Sequence, residues 1–471
     1  LMTYSWKPNR TADAPLHAQV AAYYRSLINN GALTAGEKIP SQRRLAKLFG
    51  ISRTSIITAF EQLINEGLIM SRPRSSFVVS PSKHAEGSSP YWSDYIRRAK
   101  YRPGREDYKH WFSLGSLAEF AIGGDFELNQ IFTELYRNLR FPEKNTEDFG
   151  KYGYEPLREA IAFHLQRAGI STLPSNILIC PSVTAASNLI YSAFAGGGSN
   201  FLYERPNLIN TVSDIHSIGM NMIDIPLDEF GLSAKELAKA AAKTKYSFLH
   251  IDPCDQCPTG ITMTKRRRLE IMNIVRTYKM PVVEIDHLRD AWIEKPFPPP
   301  LKSMEGGQNV IYLGSFVRTF PIDIRIGWIV AERKVIEHLG NVAIQMNMRP
   351  SMVLQISASE LFRTDLFENS LKSMRLFMQK RRTLALSFCK EYLQDIAEWE
   401  ENNCYFHFWL NFPGHNTKKI FSKGDFISCY PGYFFDKIDT SHILFCPSFI
   451  REAEVGETIV KLASKCRKGE F

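Results

Sequence analysis

The sequence predicts a small helical module carrying a β-hairpin, followed by a large α/β domain. Three observations carry that expectation. Three helical stripes crowd the first 80 residues, strand-like and helical patterns alternate after about residue 115, and the positive charge gathers at the N-terminal side. Residues 1–83 hold 11 Lys/Arg against 4 Asp/Glu and residues 84–110 hold 6 against 4, while the remaining 361 hold 41 of each. The net charge of +9 therefore lies wholly in the first quarter. A basic module joined to a neutral one fits a nucleic-acid reader attached to a second domain, and a basic arm on an enzyme fits equally. A length of 471 residues suits two or three domains with full hydrophobic cores. With 44% hydrophobic and 23% charged residues, wholesale disorder and fibrous repeats are excluded.

Each element of the N-terminal module has a sequence reason. Leu16, Val20, Tyr23, Tyr24, Leu27 and Ile28 follow Pro15 at helical spacing and run to Asn29-Asn30-Gly31. Ser41 caps a second, short helix with Leu45 and Leu48 inward and Gly50 as its stop. Ser52 caps a third, whose stripe is Ile56, Ala59, Phe60, Leu63 and Ile64. Two apolar runs, Leu68–Met70 and Phe77–Val79, flank Ser71-Arg72-Pro73-Arg74-Ser75-Ser76 and predict a hairpin with a basic tip. Three helices and such a hairpin describe a winged helix-turn-helix over residues 1–80, whose third helix enters the major groove by its N-terminal end. Ser52, Arg53, Thr54 and Ser55 are then the candidate readers, since Arg forks onto guanine and hydroxyls suit phosphate. Gln42, Arg43 and Arg44 are candidate backbone contacts, as are Arg72, Arg74 and Ser75 of the hairpin.

The run from Pro15-Leu16-His17 through Gly36-Glu37-Lys38-Ile39-Pro40-Ser41-Gln42-Arg43-Arg44-Leu45-Ala46, Gly50-Ile51-Ser52-Arg53-Thr54-Ser55 and Leu63-Ile64-Asn65-Glu66-Gly67 resembles the GntR-type winged helix of bacterial regulators. The resemblance implies that Arg43, Arg53, Thr54 and Ser55 touch DNA. Where that family usually has glycines in the wing, this chain has Arg74-Ser75-Ser76.

Residues 81–114 are polar, mixed in charge and punctuated by Pro81, Pro90 and Pro103, which predicts a linker. Over residues 115–471, strands are expected at Asn176–Ile179, Asn200–Tyr203, Phe248–Ile251, Val282–Ile285, Val310–Leu313 and Gly327–Val330. Helices are expected at Glu155–Ala168, Ala185–Ala195, Ser233–Ala242 and Lys265–Tyr278. This alternation argues a mostly parallel sheet, whose ligands sit at the carboxyl ends of strands. No apolar run reaches a membrane span, and the eight scattered cysteines form no framework, so a cytoplasmic location is expected. The lone Cys254-Asp255-Gln256-Cys257 lacks the second pair that a zinc site needs, so no metal is expected.

Tyr152-Gly153-Tyr154-Glu155-Pro156-Leu157-Arg158, Gln256-Cys257-Pro258-Thr259-Gly260 and Leu313-Gly314-Ser315-Phe316 leading to Arg325-Ile326-Gly327-Trp328 resemble fold-type I aminotransferases, which use pyridoxal phosphate (PLP). A GntR-type winged helix ahead of a fold-type I aminotransferase-like α/β domain is the arrangement of MocR-type regulators. PLP chemistry needs an imine-forming lysine and a carboxylate at the ring nitrogen. By the resemblance, the lysine position is Arg318, whose guanidinium cannot form the imine. The ring carboxylate falls on Ile285, with Asp286 one residue off and facing the other way on a strand. The tyrosine that contacts the ring hydroxyl falls on His287, the stacking aromatic on Leu208, the phosphate-cup glycine on Ser182, and the substrate-carboxylate arginine around His442 or Ile443. An anion side survives in Ser182, Thr184, Ser315, Arg318 and Arg325. The expectation is a homodimeric regulator that reads a double-stranded operator. Its aminotransferase-like domain is inactive and has no covalent cofactor. The pocket is left for a small anionic effector, for PLP held noncovalently or for no ligand at all, and an active PLP-dependent aminotransferase is the remaining alternative, against which Arg318 and Ile285 count.

Overall fold

In the computed structural model, the residues described are 6–12, 14–29, 32–33, 36–72, 76–80, 150–194, 199–207, 219–286, 289–291, 298–316, 325–400, 406–418 and 428–469. They fall into two compact units, one within Leu1–Arg102 and the other within Pro103–Phe471. The expected linker lies outside the described residues.

The first unit runs α1 (Leu16–Asn29), β1 (Lys38–Ile39), α2 (Gln42–Phe49), α3 (Arg53–Asn65), β2 (Ile69–Arg72) and β3 (Ser76–Val79). Val20, Tyr24, Leu45, Phe49, Ile56, Phe60, Leu63 and Val79 close one core between the helices and the hairpin. Both turns of the helix pair are made as the residues dictate. Ser41 Oγ accepts from Arg44 N at the start of α2, and Ser52 Oγ accepts from Ser55 N at the start of α3. Between them Gly50 takes the left-handed conformation at φ 67°, which any side chain would resist. The hairpin gains a strand beyond the expected pair. Lys38 and Ile39 pair with Val78 and Phe77, because Ile39 points into the core and pulls the connector into register.

The second unit contains α4 (Glu155–Gln166), β4 (Ile177–Cys180), α5 (Val183–Phe194), β5 (Asn200–Arg205), β6 (Asn221–Asp228), β7 (Gly231–Leu232), α6 (Ala234–Lys243), β8 (Ser247–Ile251) and α7 (Lys265–Tyr278). There follow β9 (Val282–Ile285), β10 (Val310–Ser315), β11 (Gly327–Val330), α8 (Arg333–Gln345), α9 (Met352–Arg363) and α10 (Leu366–Tyr392), then β12 (Phe408–Asn411), β13 (Cys429–Pro431), β14 (His442–Phe445) and α11 (Glu452–Arg467). The main sheet has the order β4-β11-β10-β9-β8-β5-β6-β7, and a smaller sheet the order β12-β14-β13. β6, β5, β8, β9 and β10 run parallel, whereas β11 is antiparallel to both its neighbours. Odd and even residues divide between the two faces. Leu178, Val283, Ile285, Ile311, Leu313 and Ile329 pack under α5 and α8, while Leu202, Leu249, Ile251, Val282 and Val310 pack under α6 and α7. Among the described residues, no helix is long and apolar enough to cross a membrane.

Candidate functional sites

The first candidate site lies at the starts of α2 and α3. Arg43, Arg44, Ser52, Arg53 and Thr54 are exposed, and Gln42 is half-buried. Ser55 is half-buried too, and its hydroxyl lies 2.9 Å from that of Ser52, so it serves the cap first. Arg10 Nη2 donates to the carbonyl of Gly50 at 2.5 Å, and Trp6 stacks on Tyr23 at 4.2 Å, so the segment before α1 clasps the turn between the two helices. Arg72 pairs with Ser76 across the hairpin. Arg74 and Ser75 lie outside the described residues.

The second candidate site is built at the strand ends under α5. Ser315, Gly327 and Cys180 stand in one row across β10, β11 and β4. Gly327 has a steric task here, since a Cβ on it would meet the Ser182 carbonyl carbon at 2.9 Å and Val183 N at 3.0 Å. Its bareness seats the start of α5 directly on the sheet. Ser182 Oγ accepts from Ala185 N at 3.0 Å, so this serine caps α5 and starts the helix two residues earlier than the sequence suggests. Helix geometry leaves the first N–H groups of α5 without intrahelical partners, and its dipole favours an anion there. Thr184 is exposed on the first turn, Ser315 is buried, and Arg325 is exposed two residues before Gly327. Four of the five expected anion-side residues thus lie along the chain on β10, just ahead of β11 and at the start of α5. The fifth, Arg318, lies outside the described residues, as do His287 and Leu208.

The ring side differs. Ile285 packs with Leu178, Cys180, Ala186 and Leu313 under α5 and offers no charge. Asp286 turns to the other face, where it accepts from Arg289 Nε and from the Tyr312 hydroxyl at 3.2 Å, while its Oδ1 has no partner. That face carries a buried ionic layer. Glu284 accepts from Leu301 N at 2.7 Å and Lys302 N at 2.9 Å, and the fully buried Arg268 donates to Met263, Pro253 and Pro299 carbonyls. Burial pushes the Glu284 carboxyl up to about 7 and the Asp255 carboxyl up to about 8. Tested against PLP, the anion side fits a phosphate, whereas the position for the ring-nitrogen carboxylate holds an apolar side chain. Near the C-terminus, Ile443 is core, and His442 stacks flat on Trp409 at 4.8 Å with Asp439 Oδ2 at 2.9 Å, so neither position provides a guanidinium.

Several residues outside the sequence expectation support these loops. Gln256 Nε2 donates to the Pro206 carbonyl at 2.8 Å, and its Oε1 accepts from the Thr259 hydroxyl at 2.7 Å. Asn207 N donates to the Phe435 carbonyl at 3.1 Å, and Arg205 meets Asp436 of the small-sheet region at 3.2 Å. The aromatic face of the small sheet, with Tyr430, Phe434 and Phe435, thereby packs beside Cys257. Only the Gln256 motif carries a sequence signal. The others are single residues whose partners are remote in the chain.

Fold and sites together define a winged helix-turn-helix joined to an aminotransferase-like unit. Residues 16–79 match the model for bacterial regulatory proteins of the gntR family, and residues 142–427 match that for aminotransferase class I and II. The chain is 30% identical over 477 residues to the HTH-type transcriptional regulator YisV of Bacillus subtilis (strain 168), covering 98% of each chain. It is 30% identical over 419 residues to YdfD, a second HTH-type transcriptional regulator of that strain, covering 87% of each. The solved structure of LysN, an alpha-aminoadipate aminotransferase from Thermus thermophilus complexed with N-(5′-phosphopyridoxyl)-L-leucine, has a TM-score of 0.69 at 20% identity, covering 80% of this chain and 98% of that one. That likeness is one of fold. The chain belongs to the family of bacterial HTH-type transcriptional regulators that join a gntR-type DNA-binding domain to an aminotransferase class I and II domain, the MocR-like architecture.

Proposed function

We propose that the chain is a homodimeric, cytoplasmic, operator-binding regulator with its DNA-binding module in residues 1–80, a linker over 81–114 and an aminotransferase-like domain over 115–471. This second domain performs no transamination. Arg53 and Thr54 read base edges, while Gln42, Arg43, Arg44 and the serines at the helix starts hold phosphates. Arg72, Arg74 and Ser75 add wing contacts to the backbone. A dimer reads two half-sites. The observation that carries the inactive reading is Ile285, buried among apolar side chains where the resemblance requires a carboxylate. Arg318 at the lysine position supports it from the sequence. The retained anion side, with Ser182 capping α5, favours a small anionic effector there, and noncovalent PLP is the second reading.

Incubation with PLP followed by borohydride reduction tests the chemistry. The expected outcome is no reduced adduct on any lysine and no transamination, in the natural chain or after Arg318→Lys alone. A lysine adduct in the unaltered chain, or turnover by the single variant, overturns the reading.

A further inference from the structure

The segment ahead of α1 is built onto the helix-turn-helix rather than trailing from it. Trp6 stacks on Tyr23 of α1 with the rings 4.2 Å apart and 4° from parallel, and it stands edge-on to Phe49 of α2 at 5.4 Å. Asn9 N donates to Gln19 Oε1 at 2.8 Å, and Gln19 Nε2 donates back to the Asn9 carbonyl at 2.9 Å. The Thr11 amide and hydroxyl both donate to Asn9 Oδ1, at 2.9 and 2.7 Å. Arg10 sits between these anchors, and its Nη2 reaches the Gly50 carbonyl, 40 residues further along the chain. Lys7 and Arg10 are the only ionisable residues of 6–12, and both are exposed.

The place where Arg10 is held carries the inference. Gly50 is the left-handed residue that turns α2 into α3, and Ser52, two residues on, caps α3. Two residues span at most about 7 Å, so the Arg10 guanidinium is tied to the end of α3 that offers Arg53 and Thr54. A guanidinium has five N–H groups, and the Gly50 carbonyl takes one of them among the described residues. A neutral donor would brace this turn as well. An arginine braces it and also brings a full positive charge, on a fork that suits phosphate oxygens. The bond to Gly50 restrains the side chain before any ligand arrives, so less freedom is lost on binding.

We propose that Arg10 is a further DNA-contacting residue. Held by the Gly50 carbonyl, it binds a backbone phosphate beside the base pairs that α3 reads, and it adds affinity without sequence preference. The inference rests on the DNA-binding reading above. It adds an element, residues 6–12, that lies outside the helix-turn-helix and the wing.

A short duplex of random sequence is a sufficient probe, because a phosphate contact does not depend on sequence. Binding by the full-length protein is measured by fluorescence anisotropy across a salt series. Arg10→Gln keeps a side-chain donor and removes the charge. The expected result is a slope of log affinity against log salt shallower by about 0.9 per bound module, with affinity about eightfold lower at 0.1 M salt. Arg10→Lys keeps the natural slope. A natural slope in Arg10→Gln overturns the proposal and leaves Arg10 as a brace of the turn. No binding by the natural chain overturns the DNA-binding reading together with it. A second measurement needs no variant. Phenylglyoxal modification of the natural chain, followed by mass spectrometry, is expected to slow at Arg10 when the duplex is added and to stay unchanged at Arg266 of α7, whose side chain is 90% exposed. Equal modification of Arg10 with and without a saturating duplex overturns the contact.

Discussion

Arg53 is the first residue of α3, exposed, and one position after a serine whose hydroxyl is committed to the helix cap. The cap fixes the backbone from which the guanidinium projects, so the arginine is offered to a groove from a rigid base. Arg53→Ala is expected to weaken specific operator binding by about 1–3 kcal/mol while leaving the helix content intact, as measured by fluorescence anisotropy and circular dichroism. In the second unit the informative single residue is His250. Its buried imidazole is held down to about 4 from an ordinary 6.5, so between those values the unfolded chain takes up a proton that the folded chain refuses. Stability is therefore fully present above pH 6.5 and is lost as pH falls towards about 4, by at most about 3 kcal/mol. His250→Gln should flatten that part of the pH profile in thermal unfolding, and an unaltered slope would show that another group carries it.

At the scale of elements, the seat of α5 on β11 joins fold to site. Gly327 has backbone atoms of Ser182 and Val183 where a side chain would start. Gly327→Ala must lift the start of the helix or bend the strand. The expectation is a loss of about 1–3 kcal/mol in thermal unfolding, together with weaker phosphate binding. A variant that unfolds early yet binds phosphate as before would separate the helix start from the anion site. These elements also show what can be read in advance. α7, β9 and β11 have the bounds their apolar patterns suggest, because continuous apolar runs between turn residues have few other solutions. β6 escapes such patterning, since Asn221, Asp224, Pro226 and Asp228 interrupt its run and only Ile225 is fully buried along it. The strands of the small sheet escape it as well.

At the scale of the molecule, charge and architecture divide the same way. The basic excess belongs to the winged helix and linker region, and the remainder is balanced. A protein built so should meet DNA through one part only. The slope of log affinity against log salt, about −0.9 per phosphate contacted, is expected to be the same per bound module for residues 1–80 and for the full chain on half-site duplexes. A steeper slope for the full chain would place the aminotransferase-like unit on the DNA as well. Within that unit, the small sheet joins the strand-end loops through an aromatic cluster at Cys257 and through polar contacts. Asn207 gives Phe435 one main-chain bond, and Arg205, 40% exposed, divides its guanidinium between Asp436 and Asp224. Neither contact is expensive to break, and the ionic one weakens as salt screens it. The small sheet thus meets the strand-end loops through an exposed, salt-sensitive ion pair beside a packed aromatic cluster, so high salt weakens the first contact and leaves the second in place.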